Sequence, residues 1–171
     1  RISGTFFDLG FSLFHNAKKL IENGSGPYFY LPKLEHYLEC RLLNDVILFC
    51  EKKLGLEIGT VKVTVLIETI NAVFQMDEFL WELKDHIVGL NAGRWDYLFS
   101  YQKVYRNTKK VILPDRSKVN MFVPFMTNYN KLLVDTCHRR GAFGMGGMSA
   151  QVIAKSNPPE INEKALLAVK K

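Results

Sequence analysis

Two carboxylates stand where a strand would hand the chain over to a loop. Glu68 follows the β-branched, largely apolar run of residues 61–67, and Asp96 closes the segment Asn91-Ala92-Gly93-Arg94-Trp95-Asp96. In parallel α/β folds ligands bind beyond the carboxyl ends of the strands. Neighbouring strands lie about 4.8 Å apart, so carboxylates at two adjacent strand ends can share one cation. Hard oxygen donors, few in number and with no His or Cys in register, favour Mg²⁺ over zinc. The competing structural reading is that Glu68 caps the following helix and Asp96 pairs with Arg94, and spacing alone favours it.

Gly93 adds a second element. Lacking a Cβ, it lets a ligand approach the backbone, and the N–H groups after it can point at an anionic oxygen. An ordinary tight turn would use glycine there too. The four histidines suggest no general base. His15 and His36 fall in helix-like stretches, and His86 and His138 lie near helix ends, where a cation suits the dipole. Residues 142–148, Ala-Phe-Gly-Met-Gly-Gly-Met, lack both the Gly-Lys-Ser/Thr ending of a P-loop and the G-x-G-x-x-G spacing of a dinucleotide site. They read as a close-packed strand end lining an apolar pocket.

The elements that must position these residues follow from periodicity. Apolar residues from Phe6 to Leu20 recur at helical spacing, and Asn23-Gly24 closes that segment. Residues 28–31 read as a buried strand ended by Pro32, residues 33–54 as a helix stopped by Gly55, and residues 61–67 as a strand covered on both faces. Residues 69–85 are expected to be helical, 87–90 a short strand, and 91–93 a turn. An irregular stretch is expected up to Pro114-Asp115, then a helix over 117–140 in which Pro124 sits near the start or makes a kink. A strand running into a loop follows at 142–148, and an amphipathic helix from about Asn162. This alternation is the grammar of a parallel sheet with crossover helices. Four strands are half of an eight-stranded barrel, and an open doubly wound sheet fits the pattern equally well.

With 171 residues and 47% hydrophobic content the chain can bury a core. No apolar run approaches the roughly 18 residues of a membrane span, and no secretory signal opens the sequence. The net charge of +6 suits an anionic substrate, although a weak nucleic-acid footprint would have the same composition. Neither a nucleic-acid nor a membrane partner is expected. Cys40, Cys50 and Cys137 form no C-x-x-C pair and are odd in number, which disfavours a disulfide framework or zinc site and suggests a reducing, intracellular compartment. The chain opens at Arg1 and stops in a Lys-rich stretch, so both ends look cut out of something longer.

Residues 84–99, Lys-Asp-His-Ile-Val-Gly-Leu-Asn-Ala-Gly-Arg-Trp-Asp-Tyr-Leu-Phe, resemble the signature segment of malate synthases of the shorter, non-G type. Gly-Pro-Tyr-Phe-Tyr-Leu-Pro-Lys-Leu-Glu at 26–35, Thr-Val-Leu-Ile-Glu-Thr at 64–69, Leu-Pro-Asp-Arg at 113–116 and Cys-His-Arg-Arg-Gly-Ala at 137–142 agree with the same family. The resemblance spans nearly the whole chain and fades after about Lys155.

The resemblance implies part of a TIM (β/α)8 barrel, about half of it present over residues 1–171, with its N- and C-terminal parts missing. It implies an enzyme that joins glyoxylate and acetyl-CoA, with water, to give malate and CoA in the glyoxylate cycle. Glu68 and Asp96 would be the protein ligands of Mg²⁺. Glyoxylate would be held by these two and by the backbone around Gly93, Arg94 and Trp95, and Gly146, Gly147 and Met148 would line the glyoxylate and acetyl-thioester pocket. The family's base and enolate-stabilising cation are an Asp and an Arg. Neither motif occurs in this chain, so no catalytic residue is expected here, and Asp115 and Arg116 do not replace them. The chain alone is expected to be inactive. Alternatives are a related Mg²⁺-dependent CoA-ester lyase or a non-catalytic truncated product. Fusion to isocitrate lyase, the oligomeric state and the choice between peroxisome-like organelle and cytoplasm stay open.

Overall fold

A computed structural model describes residues 2–147 and 153–170. Four strands, β1 (Tyr28–Leu31), β2 (Lys62–Ile67), β3 (Ile87–Ala92) and β4 (Phe143–Met145), form one sheet in the order β1-β2-β3-β4. Every pairing is parallel, with Leu31 opposite Val65, Ile67 opposite Ala92 and Asn91 opposite Met145. A doubly wound sheet requires the strand order to reverse at a switch point. Here each strand is simply added beside the last, which is the winding of a barrel arc and removes the ambiguity left by periodicity.

The helices are α1 (Gly4–Glu22), α2 (Tyr37–Leu54), α3 (Ile70–Val73), α4 (Met76–Glu82), α5 (Arg94–Tyr105), α6 (Pro124–Arg139) and α7 (Pro159–Lys170). The core lies between the sheet and its crossover helices. Val63, Val65 and Ile67 of β2 and Leu90 of β3 are buried with Phe79 of α4 and Met126 and Leu133 of α6. Each such side chain contributes about 1.5–3 kcal/mol on burial.

Several elements depart from the sequence expectation, each for a local reason. The helix expected from Lys33 begins only at Tyr37. His36 and Glu39 form a capping box there, in which the imidazole accepts from the Leu38 N–H and the carboxylate from the His36 N–H. The segment 69–85 is two short helices, because the chain departs from helical geometry at Phe74 and Gln75. Strand β3 continues through Asn91 and Ala92, where a turn was expected, since both pair with β2. The stretch read as irregular contains α5. Only Tyr97 and Leu98 of that helix are buried, so it carries no apolar stripe for periodicity to find. Pro124 is the first residue of α6, seven residues later than the expected helix start, and the approach to it includes a 3₁₀ turn, Arg116–Lys118.

Burial also corrects two readings. Tyr28 and Tyr30 of β1 are exposed, and only Leu31 of that strand is buried. His86 does not stand at an exposed helix end. It is wholly buried, with Nε2 3.0 Å from the Glu51 carboxylate and Nδ1 2.8 Å from Asn44. Glu51, also wholly buried, accepts from the Gly59 and Val61 N–H groups as well. This network ties α2 to the amino end of the sheet. The cysteines are free thiols as expected, and burial raises the Cys40 thiol to about 12. Among the described residues no helix is long and apolar enough to cross a membrane.

Candidate cation site at the strand ends

Three adjacent strands each deliver one residue to the same spot. Strand β1 ends at Leu31, and after Pro32 the chain turns through Lys33 with φ at 62°. Strand β2 delivers Glu68, and β3 runs through Gly93 into α5, whose first turn carries Asp96. Glu68 is only 3% exposed. Its Oε1 accepts from the Lys33 main-chain N–H at 2.7 Å. The Lys33 ammonium then lies 3.3 Å from the same Oε1 and 2.9 Å from Asp96 Oδ1. The bond to Asp96, with further help from Glu68, holds the Lys33 ammonium above the ordinary lysine range, against the opposing pull of desolvation.

The structural readings of the two carboxylates do not hold. The cap of α3 is Thr69, whose hydroxyl accepts from the Ala72 N–H and donates to the Leu34 carbonyl at 2.8 Å. Asp96 pairs with Lys33. Arg94 turns away, donating to the Val119 carbonyl and stacking 4.2 Å over the Trp95 ring. Burial lowers the Arg94 pKa from the usual arginine value, and its Nε is buried with no hydrogen-bond partner among the described residues. The Arg116 guanidinium lies 5.6 Å from the centroid of the same Trp95 ring, so the indole carries two guanidinium neighbours.

Glu68 is held by its flanks. The Ile67 carbonyl accepts from the Tyr129 hydroxyl on α6, and Tyr129 stacks on Tyr97 of α5 with ring centroids 4.2 Å apart. Burial pushes the Tyr129 phenol well above the ordinary tyrosine range, so it remains a neutral donor. On the other flank, the Ile70 N–H donates to Ser100 Oγ of α5 at 2.9 Å. Gly93 completes the packing. A Cβ there would lie 2.6 Å from Glu68 Cβ and 3.1 Å from Oε2, so the close approach of the two strand ends requires glycine. The N–H groups of Arg94, Trp95 and Asp96 open α5, where a helix has no internal acceptors for them and presents its positive end.

Gly146 and Gly147 come to the same end of the sheet. The Asn91 side-chain amide donates to the Gly146 carbonyl at 3.2 Å, and a Cβ on Gly147 would sit 3.1 Å from the Ala92 carbonyl oxygen. Met148 lies outside the described residues. Two residues that organise the site escaped the sequence reading. Tyr129 sits on a helix face like any core aromatic and carried no signal. Lys33 did carry one, since the strand-end rule that selected Glu68 and Asp96 applies equally to β1.

Glu68 and Asp96 thus both reach the single ammonium of Lys33. The described residues contain no group of three or more His, Cys, Asp or Glu side chains that could hold a metal. A pair of carboxylates with open positions suits Mg²⁺, which keeps several waters and needs no full protein cage.

The singly wound parallel sheet, with Glu68, Asp96 and Lys33 gathered at the carboxyl ends of its strands, defines part of a β/α-barrel domain. The family model described as the malate synthase TIM-barrel domain matches residues 1–171. This chain belongs to that family. It is 56% identical to malate synthase from Dictyostelium discoideum over 91% of its length, which is 29% of that protein. It is 52% identical to the glyoxysomal malate synthase of Candida tropicalis over 91% of its length, 28% of that protein. The chain thus spans less than a third of the length of these relatives. Among solved structures, a citrate lyase from Burkholderia xenovorans LB400 aligns with a TM-score of 0.61 at 20% identity, covering 76% of this chain and 38% of that one. The lead(II) complex of Haloferax volcanii malate synthase aligns with a TM-score of 0.59 at 14% identity, covering 77% and 36%. These structural likenesses speak to the fold alone, and they confirm part of a TIM barrel.

Proposed function

We propose that this chain carries the metal- and glyoxylate-binding part of a malate synthase, in which glyoxylate, acetyl-CoA and water give malate and CoA. The observation that carries the reading is the convergence of Glu68 and Asp96 on one cation, the Lys33 ammonium, beside the amino end of α5. Glu68 and Asp96 would hold Mg²⁺, which when bound supplies Lewis-acid polarisation of the aldehyde. The N–H groups at Arg94, Trp95 and Asp96 would orient the glyoxylate carboxylate, as helix amino ends do for anions. Gly93 lets the ends of β2 and β3 approach closely enough for Glu68 and Asp96 to share one cation. The Lys33 N–H, Thr69 and Tyr129 fix Glu68 so that little reorganisation accompanies binding. Gly146 and Gly147, against β3, would line the acetyl-thioester side, and Met148 is assigned with them from the family resemblance. Removal of the acetyl proton and support of the enolate fall to the family's Asp and Arg, which match no motif in these residues.

The 52–56% identity to malate synthases favours this reading over a related CoA-ester lyase. Residence in a peroxisome-like organelle fits the glyoxysomal name of the Candida tropicalis relative. The test is Asp96→Asn in the full-length protein. Loss of one charged ligand is expected to weaken Mg²⁺ binding and lower turnover by about 10²-fold or more. Near-normal CoA release at ordinary Mg²⁺ concentrations would rule Asp96 out as a ligand.

A further inference from the structure

Lys33 stands out on three grounds. Among the described residues it is the one non-glycine with positive φ. Its main-chain N–H and its ammonium both address Glu68 Oε1, and the ammonium also reaches Asp96. Its side chain is 61% exposed, whereas that of Glu68 is 3% exposed. We propose that Lys33 is the built-in counter-ion of the cation site, bridging Glu68 and Asp96 until a divalent metal displaces its ammonium toward solvent. This rests on the reading of Glu68 and Asp96 as metal ligands.

The physical case begins with the carboxylates. Without a cation, two negative groups at neighbouring strand ends repel, and a buried one without a partner is costly. A lysine answers this with a compact charge on a flexible stem, which can leave along the open face by which it entered. An arginine fork would bind more permanently. The left-handed turn at Lys33 aims two donors at one carboxylate. One is fixed and one is removable, so Glu68 keeps its main-chain bond when the ammonium departs. The site is therefore assembled before metal arrives, and metal binding is an exchange of cations. Its observed affinity is the intrinsic affinity reduced by the competition from Lys33.

The exchange predicts that removing the ammonium tightens metal binding. The experiment titrates Mn²⁺, read by loss of the free-ion electron paramagnetic resonance signal, into full-length wild type, Lys33→Met, Lys33→Gln, Lys33→Arg and Asp96→Asn. Lys33→Met is expected to bind Mn²⁺ about three- to tenfold more tightly, the scale of one or two partly exposed ion pairs. Its thermal midpoint without metal should fall below that of the wild type, and saturating Mn²⁺ should raise it by more. Lys33→Gln gives the same reading should the methionine variant fail to fold. Lys33→Arg should not tighten binding. Wild-type or weaker Mn²⁺ affinity in Lys33→Met, with Asp96→Asn still impaired, would overturn the counter-ion role and leave the metal site standing. Wild-type affinity in Asp96→Asn would overturn the metal site, and the counter-ion with it.

Discussion

Replacing Gly93 with alanine tests how tightly the strand ends are packed around Glu68. The added Cβ would begin 2.6 Å from Glu68 Cβ, where ordinary contact starts at 3.4 Å. Either the Glu68 side chain or the first turn of α5 must therefore yield by about 1 Å. Glu68 has little room, because Tyr129 holds the carbonyl before it and the Leu34 carbonyl anchors Thr69 after it. The shift is expected to fall on α5, carrying Asp96 and the N–H groups of its first turn away from Glu68. A misplacement of about 1 Å at a catalytic constellation can cost 10²-fold in rate. We expect Gly93→Ala to lower turnover by about that factor in the full-length protein and to weaken Mn²⁺ binding in parallel. Gly10→Ala serves as control, since its added Cβ meets nothing within 4 Å. It lies inside α1 and should leave metal affinity unchanged while helix stability rises by up to about 1 kcal/mol. Gly93→Ala with wild-type turnover and metal affinity would refute the packing argument.

Tyr129→Phe leaves the buried Ile67 carbonyl without its side-chain donor, and equilibrium urea unfolding should show a loss of about 1–3 kcal/mol. Turnover should fall with it, whereas a loss of stability alone would show that Tyr129 does not orient Glu68. Glu51→Ala strips His86 and two main-chain N–H groups of their shared acceptor. Unfolding should register a cost of about 3 kcal/mol or more, and a change below 1 kcal/mol would mean the amino end of the sheet repacks. The 171-residue chain by itself should release no CoA from acetyl-CoA and glyoxylate. Release that depends on Asp96 would place the proton-transferring groups within these residues.

The exposed apolar surface fits a chain that is part of a barrel. Phe7, Phe11 and Phe14 on α1 and Tyr28 and Tyr30 on β1 are all more than half exposed. In sequence they looked like core, because periodicity reports which residues share a face and says nothing of what covers it.

The sequence by itself determined the alternating plan, the apolar β2 strand, the chemistry of two hard carboxylates and, through the unbroken segment at 84–99, the family. Those properties are local, written in residue type and spacing. Tertiary structure decided the winding of the sheet, because strand neighbours are long-range partners that no window of residues contains. It also decided where helices begin, as at His36, and that α5 is a helix at all, since little of its surface is buried. Above all it decided that Glu68 and Asp96 converge on Lys33. Sixty-three residues separate Lys33 from Asp96, and only the parallel register of three strands brings their charges to within 2.9 Å.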